Sequence, residues 1–161
     1  MASKLYPAAG AKVYIGGIKQ ASGDLTAADF ASETFTEIAG VTDMGSHGDA
    51  GEIITSRHIN ATRVRKIKSP IRDGGQKEIV VDFDGADAGQ IAAAAAALTD
   101  YPYSFKVQFN DAPAPGGTGS IRYFAAFVVS VVEGVGSAGD ALKRTISLDI
   151  DSNLVSVAAA A

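Results

Sequence analysis

The chain has 161 residues, of which 47% are hydrophobic and 20% charged, and this predicts one folded domain rather than a disordered chain. Its net charge of −4 neither marks nor excludes a nucleic-acid binder, so the distribution of charge matters more than its total. The absence of cysteine removes disulfide staples, thiolate zinc sites and cysteine nucleophiles together, and is compatible with a reducing cytoplasm.

Met1 to Gly10 carries one lysine and no apolar run of the kind a signal peptide needs, and is expected as a flexible end. No window reaches the roughly 18 apolar residues of a membrane span, so no membrane contact is expected. Lys12 to Ile15 and Thr34 to Ile38 read as early or edge strands, the second followed by a turn-rich stretch through Gly40, Asp43, Gly45 and Gly48. Gly45 to Gly75 then forms a polar connection too long to be structureless inside a compact domain, which makes it either functional or partly strand.

Lys77 to Phe83 alternates, with Ile79, Val81 and Phe83 on one face and Glu78, Val80 and Asp82 on the other. An alanine run predicts one helix from about Asp87 to Leu98, capped by Asp84 or Asp87 and ending before Pro102. Alanine buries little side-chain area, so this helix is expected to lie close against a sheet. Tyr103 to Phe109 alternates again, followed by a loose hairpin loop from Asp111 to Ser120. Ile121 to Val132 is apolar at both parities, which predicts a central strand covered on both faces and a natural seat for the helix. Leu142, Ile146, Leu148 and Ile150 alternate with polar residues in a last half-buried strand, and Ala158 to Ala161 reads as a flexible end. No repeat of solenoid or propeller spacing is present. The fold class is mainly β: one domain over residues 1–161, a small antiparallel sandwich or barrel with one flanking helix and a long loop.

Catalytic and ligand motifs fail on context. Gly134-Val135-Gly136-Ser137-Ala138-Gly139 matches a phosphate-binding glycine pattern, but strand periodicity follows it where a helix is required, so it reads as a hairpin turn. His47 and His58 have no histidine three or four residues away and no neighbouring carboxylate pair, so they read as exposed loop histidines rather than metal ligands. Asp82 with Asp84, and Asp149 with Asp151, could each present two carboxylates on one strand face, as a solvated strip sooner than a cation site. No serine sits in a nucleophile elbow, and no base accompanies one. Asn60-Ala61-Thr62 has the glycosylation pattern but no secretory context. No enzyme activity, metal or cofactor is expected.

Charge is segregated instead. Ile53 to Arg72 contains no acidic residue, yet Arg57, Arg63, Arg65, Lys66, Lys68 and Arg72 make up six of the 14 basic residues. Such a segment fits a subunit contact, a phosphate-binding arm or a solvated loop. It lacks the interleaved aromatics of a base-stacking arm. Its few apolar residues, such as Ile59, Val64, Ile67 and Ile71, give it little burial within its own domain, which favours contact with a neighbour.

The order of elements resembles a known family. An early strand ends in Ile38-Ala39-Gly40-Val41-Thr42-Asp43-Met44-Gly45; a long loop leads to a hairpin region, Arg72-Asp73-Gly74-Gly75-Gln76-Lys77-Glu78; one helix and a last strand, Lys143 to Ile150, follow. This layout is similar to the major tail tube proteins of long-tailed, non-contractile bacteriophages, over about residues 10–157. The resemblance implies a virion protein, assembled in the host cytoplasm, whose hexameric rings stack into a tube that passes DNA without binding it. It also implies partners at the tube ends: tape measure, terminator and tail tip. The long loop would order against neighbouring subunits, and Glu78, Asp82 or Asp149 could line an acidic lumen. The basic run would sit between subunits or rings, because in the lumen it would retard DNA. A tail terminator, a head-tail joining protein and a nucleic-acid-binding β domain are the alternatives.

Overall fold

A computed structural model describes residues 3–161. In chain order the strands are β1 (Lys12–Ile18), β2 (Thr36–Ile38), β3 (Val41–Asp43), β4 (Ala50–Ser56) and β5 (Arg65–Asp73). Then come β6 (Gln76–Asp82), the helix α1 (Ala88–Ala96), β7 (Tyr103–Gln108), β8 (Ile121–Gly134), β9 (Lys143–Ile150) and β10 (Val155–Val157). The main sheet runs β2-β1-β7-β8-β9-β6-β3, antiparallel throughout, with β10 also paired to β8, while β4 and β5 form a separate ribbon.

The two outermost strands of this order, β2 and β3, are separated in the chain by Ala39 and Gly40 alone. The sheet therefore curls until its edges meet, a barrel closed by a covalent link. Gly40 makes the junction possible: its φ is +75°, its carbonyl accepts from Asp82 N at 2.8 Å, and a Cβ there would stand 3.1 Å from the Asp82 carbonyl. The long strand β8 serves both halves, its first part pairing β7 and β10 and its second pairing β9, with a bulge between Val128 and Ser130 that re-aims it.

Inward positions of the two halves fill the core: Val13, Ile15, Phe105, Val107, Phe124 and Val128 meet Ile79, Val81, Ile146 and Leu148. The alternation in β6 and β9 is thus the burial pattern of a sheet wet on one side, whereas the outer face of β7 is covered in part as well, with Ser104 fully buried there. Helix α1 supplies Ala93 and Ala96 to this core and rests on β1, β2 and β8. Its small residues permit close approach, for a Cβ on Gly89 would lie 2.1 Å from the Glu37 carbonyl. Asp87 caps it, accepting from Gln90 N at 2.9 Å. The buried Gln90 side chain donates to the carbonyls of Ala39 (3.1 Å) and Asp82 (2.9 Å), tying the helix to the β2–β3 junction and the end of β6.

Several expectations are corrected. Gly45 to Gly75 is largely the β4–β5 ribbon rather than a loop. Strands β3 and β10, and the single-turn helix Ala27–Phe30, form where no strand or helix was expected. Strand β8 is covered on both faces only in its first half, where Phe30 and Phe35 pack on Tyr123; from the bulge onward Val129 and Val132 are 61% and 58% exposed. Phe83, just past β6, lies open rather than in the core.

Candidate assembly interface

The six basic residues of the sequence segment all lie on the projecting ribbon or its turn. Across it Ile53 faces Lys68, Ile54 faces Ile67, Thr55 faces Lys66 and Ser56 faces Arg65, so both faces mix apolar and basic side chains. Ser69 is the only strand residue of the ribbon that is buried. Arg57, Arg63, Arg65, Lys66, Lys68 and Arg72 are exposed, and among the described residues none of them joins an ion pair. Arg72 instead donates to the carbonyl of Ser69. Ile53, Ile54, Ile59, Val64, Ile67 and Ile71 are all open to solvent.

Physical chemistry makes this ribbon incomplete by itself. A lone two-stranded ribbon is marginal in water, and its outer edges present unpaired backbone donors and acceptors. Pro70 interrupts one edge, since it has no N–H; the ladder passes from Gly51–Arg72 to Ile53–Lys68, leaving extra residues in β5, and Ile71 N turns to Ser69 Oγ at 3.2 Å. The base of the ribbon is held firmly, because a Cβ on Gly74 would lie 2.6 Å from Ile150 Cγ2.

The acidic candidates also come together. In the β6–β9 register Gln76 faces Asp149, Glu78 faces Ser147 and Asp82 faces Lys143, which puts Glu78, Asp82 and Asp149 on the outer face of one pair of strands. Lys143 Nζ lies 2.9 Å from Asp82 Oδ1 and offsets that carboxylate, whereas Glu78 and Asp149 have no ion pair among the described residues. The face is therefore mildly acidic, and it carries no basic residue of the ribbon.

A third feature was missed in the sequence: a cleft of about 690 Å³ lined by Val41, Met44, Val107 and Phe109, with Lys77 and His47 among its walls. Lys77 shares the inward parity of Ile79 and is 2% exposed. Its Nζ donates to the Met44 carbonyl and lies 3.3 Å from His47 Nδ1. Burial lowers the Lys77 ammonium to about 8, partly offset by the charge of Asp43. His47, far from being an exposed loop histidine, stacks near Phe109 and Phe124 and is held at about 4 by burial and by the charges of Lys77 and Arg122. The inward parity of a lysine on β6 was the one available signal; nothing in the sequence around His47 marks it. His58 is exposed, as expected.

No protein-family model matches the sequence, and no curated protein matches it. Solved structures do. A chain of the anti-feeding prophage baseplate, from a 6-fold symmetrised cryo-EM structure, superposes with a TM-score of 0.72 at 11% identity, covering 98% of each chain. A chain from the sheath/tube terminator of PVC, an extracellular contractile injection system, gives 0.69 at 12% identity over 98% of this chain and 100% of the other. A chain of the SPP1 tail tube gives 0.63 at 14% identity over 94% and 80%. At such identities the likeness is one of fold, and it extends over nearly the whole chain. The protein has the fold of chains found in phage tails and injection machines. Because one of these belongs to a contractile system, the fold does not carry the restriction to non-contractile tails.

Proposed function

We propose that the protein is a structural subunit of a phage-type tail tube, which assembles with copies of itself into stacked rings. The observation that carries this is the β4–β5 ribbon: an unpaired, apolar and basic two-stranded element, firmly based on a barrel whose fold matches tail and injection-machine chains. Arg57, Arg63, Arg65, Lys66, Lys68 and Arg72 contact the acidic body of a neighbouring copy, and the ribbon's isoleucines are buried there. The six-fold symmetry of the baseplate structure supports hexameric rings. The face bearing Glu78, Asp82 and Asp149 lines the channel, where repulsion keeps passing DNA from adhering. The protein acts by assembly and not by catalysis, in the virion tail, with a non-contractile tail and tape measure, terminator and tip proteins as the expected setting.

Six exposed basic groups without an ion pair among the described residues also suit phosphate binding, and this favours a nucleic-acid-binding domain as the second function. Sedimentation of the chain at rising concentration, with and without duplex DNA, separates the two. Concentration-dependent particles that form without DNA support the tube. A monomer that binds DNA, with log affinity falling steeply against log salt, supports the alternative. A particle that stops at one ring would indicate a terminator or joining role.

A further inference from the structure

The cleft over Lys77 takes no part in the assembly contacts proposed above, and its chemistry is unfinished. The Lys77 ammonium has three N–H donors and two protein acceptors, the Met44 carbonyl and His47 Nδ1. The ion pairs among the described residues all involve other cations, so this buried charge has no carboxylate against it. Asp111 stands in the same wall, but both its oxygens are engaged by Ser120, from N and from Oγ, each at 2.6 Å. Arg122 lies with its guanidinium 5.0 Å from the Phe109 ring, adding to the positive potential. Asp43 acts on Lys77 without contact, and His47 is neutral.

We propose that this cleft is a socket for an aspartate or glutamate side chain of a second copy of the chain, which enters beside Lys77 and completes its hydrogen bonding and charge. The inference rests on the assembly proposed above. Three observations carry it. A buried cation without an opposite charge is costly, and a close carboxylate relieves that cost. The chain carries 18 acidic against 14 basic residues, and six of the basic ones are gathered on the ribbon, so the body of a neighbouring copy offers an excess of carboxylates over cations. The rim is also continuous with the contact element: Met44, Gly45 and His47 line the cleft, and β4 begins at Ala50. The apolar walls accommodate the aliphatic stem of the entering residue and its neighbours. One free donor suits a carboxylate, whereas a phosphate dianion would need several.

The test compares wild type with Lys77→Met, which keeps the shape of the stem and removes the charge, after thermal unfolding has shown that the free variant folds. The concentration threshold for assembly is expected to rise roughly thirtyfold, because the incoming carboxylate is then buried unpaired. Lysine side-chain NMR supplies a second readout that needs no variant. Lys77 should titrate near 8 in the free subunit and well above that in the assembled state. Equal thresholds for the two proteins, or the same Lys77 titration free and assembled, would overturn the socket while leaving the tube standing. If acetate moves the His47 and Lys77 resonances of the free subunit, and Lys77→Met assembles normally, the cleft takes small acids from solution and the inference falls. A wild-type chain that never assembles removes both proposals.

Discussion

Ile71 offers the most direct link between an exposed side chain and assembly. It is 77% exposed on β5, so most of its surface is free to be buried by another copy. Burying a whole isoleucine side chain contributes about 1.5–3 kcal/mol, and Ile71→Thr keeps the β-branch while removing much of that apolar surface. The expected loss is about 1–2 kcal/mol per subunit added, which raises the assembly threshold roughly five- to thirtyfold. The concentration of soluble chain in equilibrium with pelletable polymer measures it. The free subunit should unfold within about 2 °C of wild type, since the side chain touches little in its own domain. An unchanged threshold would refute the burial of Ile71 between copies. An equal loss of free-subunit stability would show that the ribbon is already completed within its own chain.

Other consequences follow from the fold. Gly89→Ala should destabilise the chain in urea by about 1–3 kcal/mol despite the better helix propensity of alanine, because the added Cβ meets the Glu37 carbonyl at 2.1 Å and forces α1 off β2. Phe124→Ala, at a fully buried ring stacked on Phe105, should cost about 3–5 kcal/mol by the same assay. His47 makes stability fall with acid. Its folded value of about 4 lies below its ordinary 6.5, so the unfolded chain takes up the proton first; the contribution is whole above about 6.5 and disappears as the pH falls through 4. Relative to His47→Phe, wild type should lose about 1–2 kcal/mol over that window once partial exposure is allowed for, and parallel pH profiles of the two would contradict this.

The body of the fold was legible where burial imposes a period. Strands β6, β7 and β9 each turn one face into a single core, so their sequences alternate, broken at inward positions only by Lys77 and Arg144, and the alanine run with Asp87 before it marked α1. Strands β3 and β10 are three residues each and owe their form to distant partners in β6 and β8, which no local pattern encodes. The ribbon was illegible for the opposite reason. Both of its faces are wet, so nothing forces its residues to alternate, and Pro70 argues locally against a strand. Its basic residues were found by charge segregation alone. Gln90, a lone amide in an alanine run, and Lys77, a cation at an inward parity, were the available hints of buried polar structure.

Negative-stain electron microscopy at rising concentration, on wild type and on a variant with Gly51 to Arg72 replaced by a short turn, tests the central claim most directly. Rings and stacked tubes are expected from wild type, and folded monomers from the variant. Wild-type monomers at every concentration, or tubes of normal length from the variant, would contradict assembly through the ribbon.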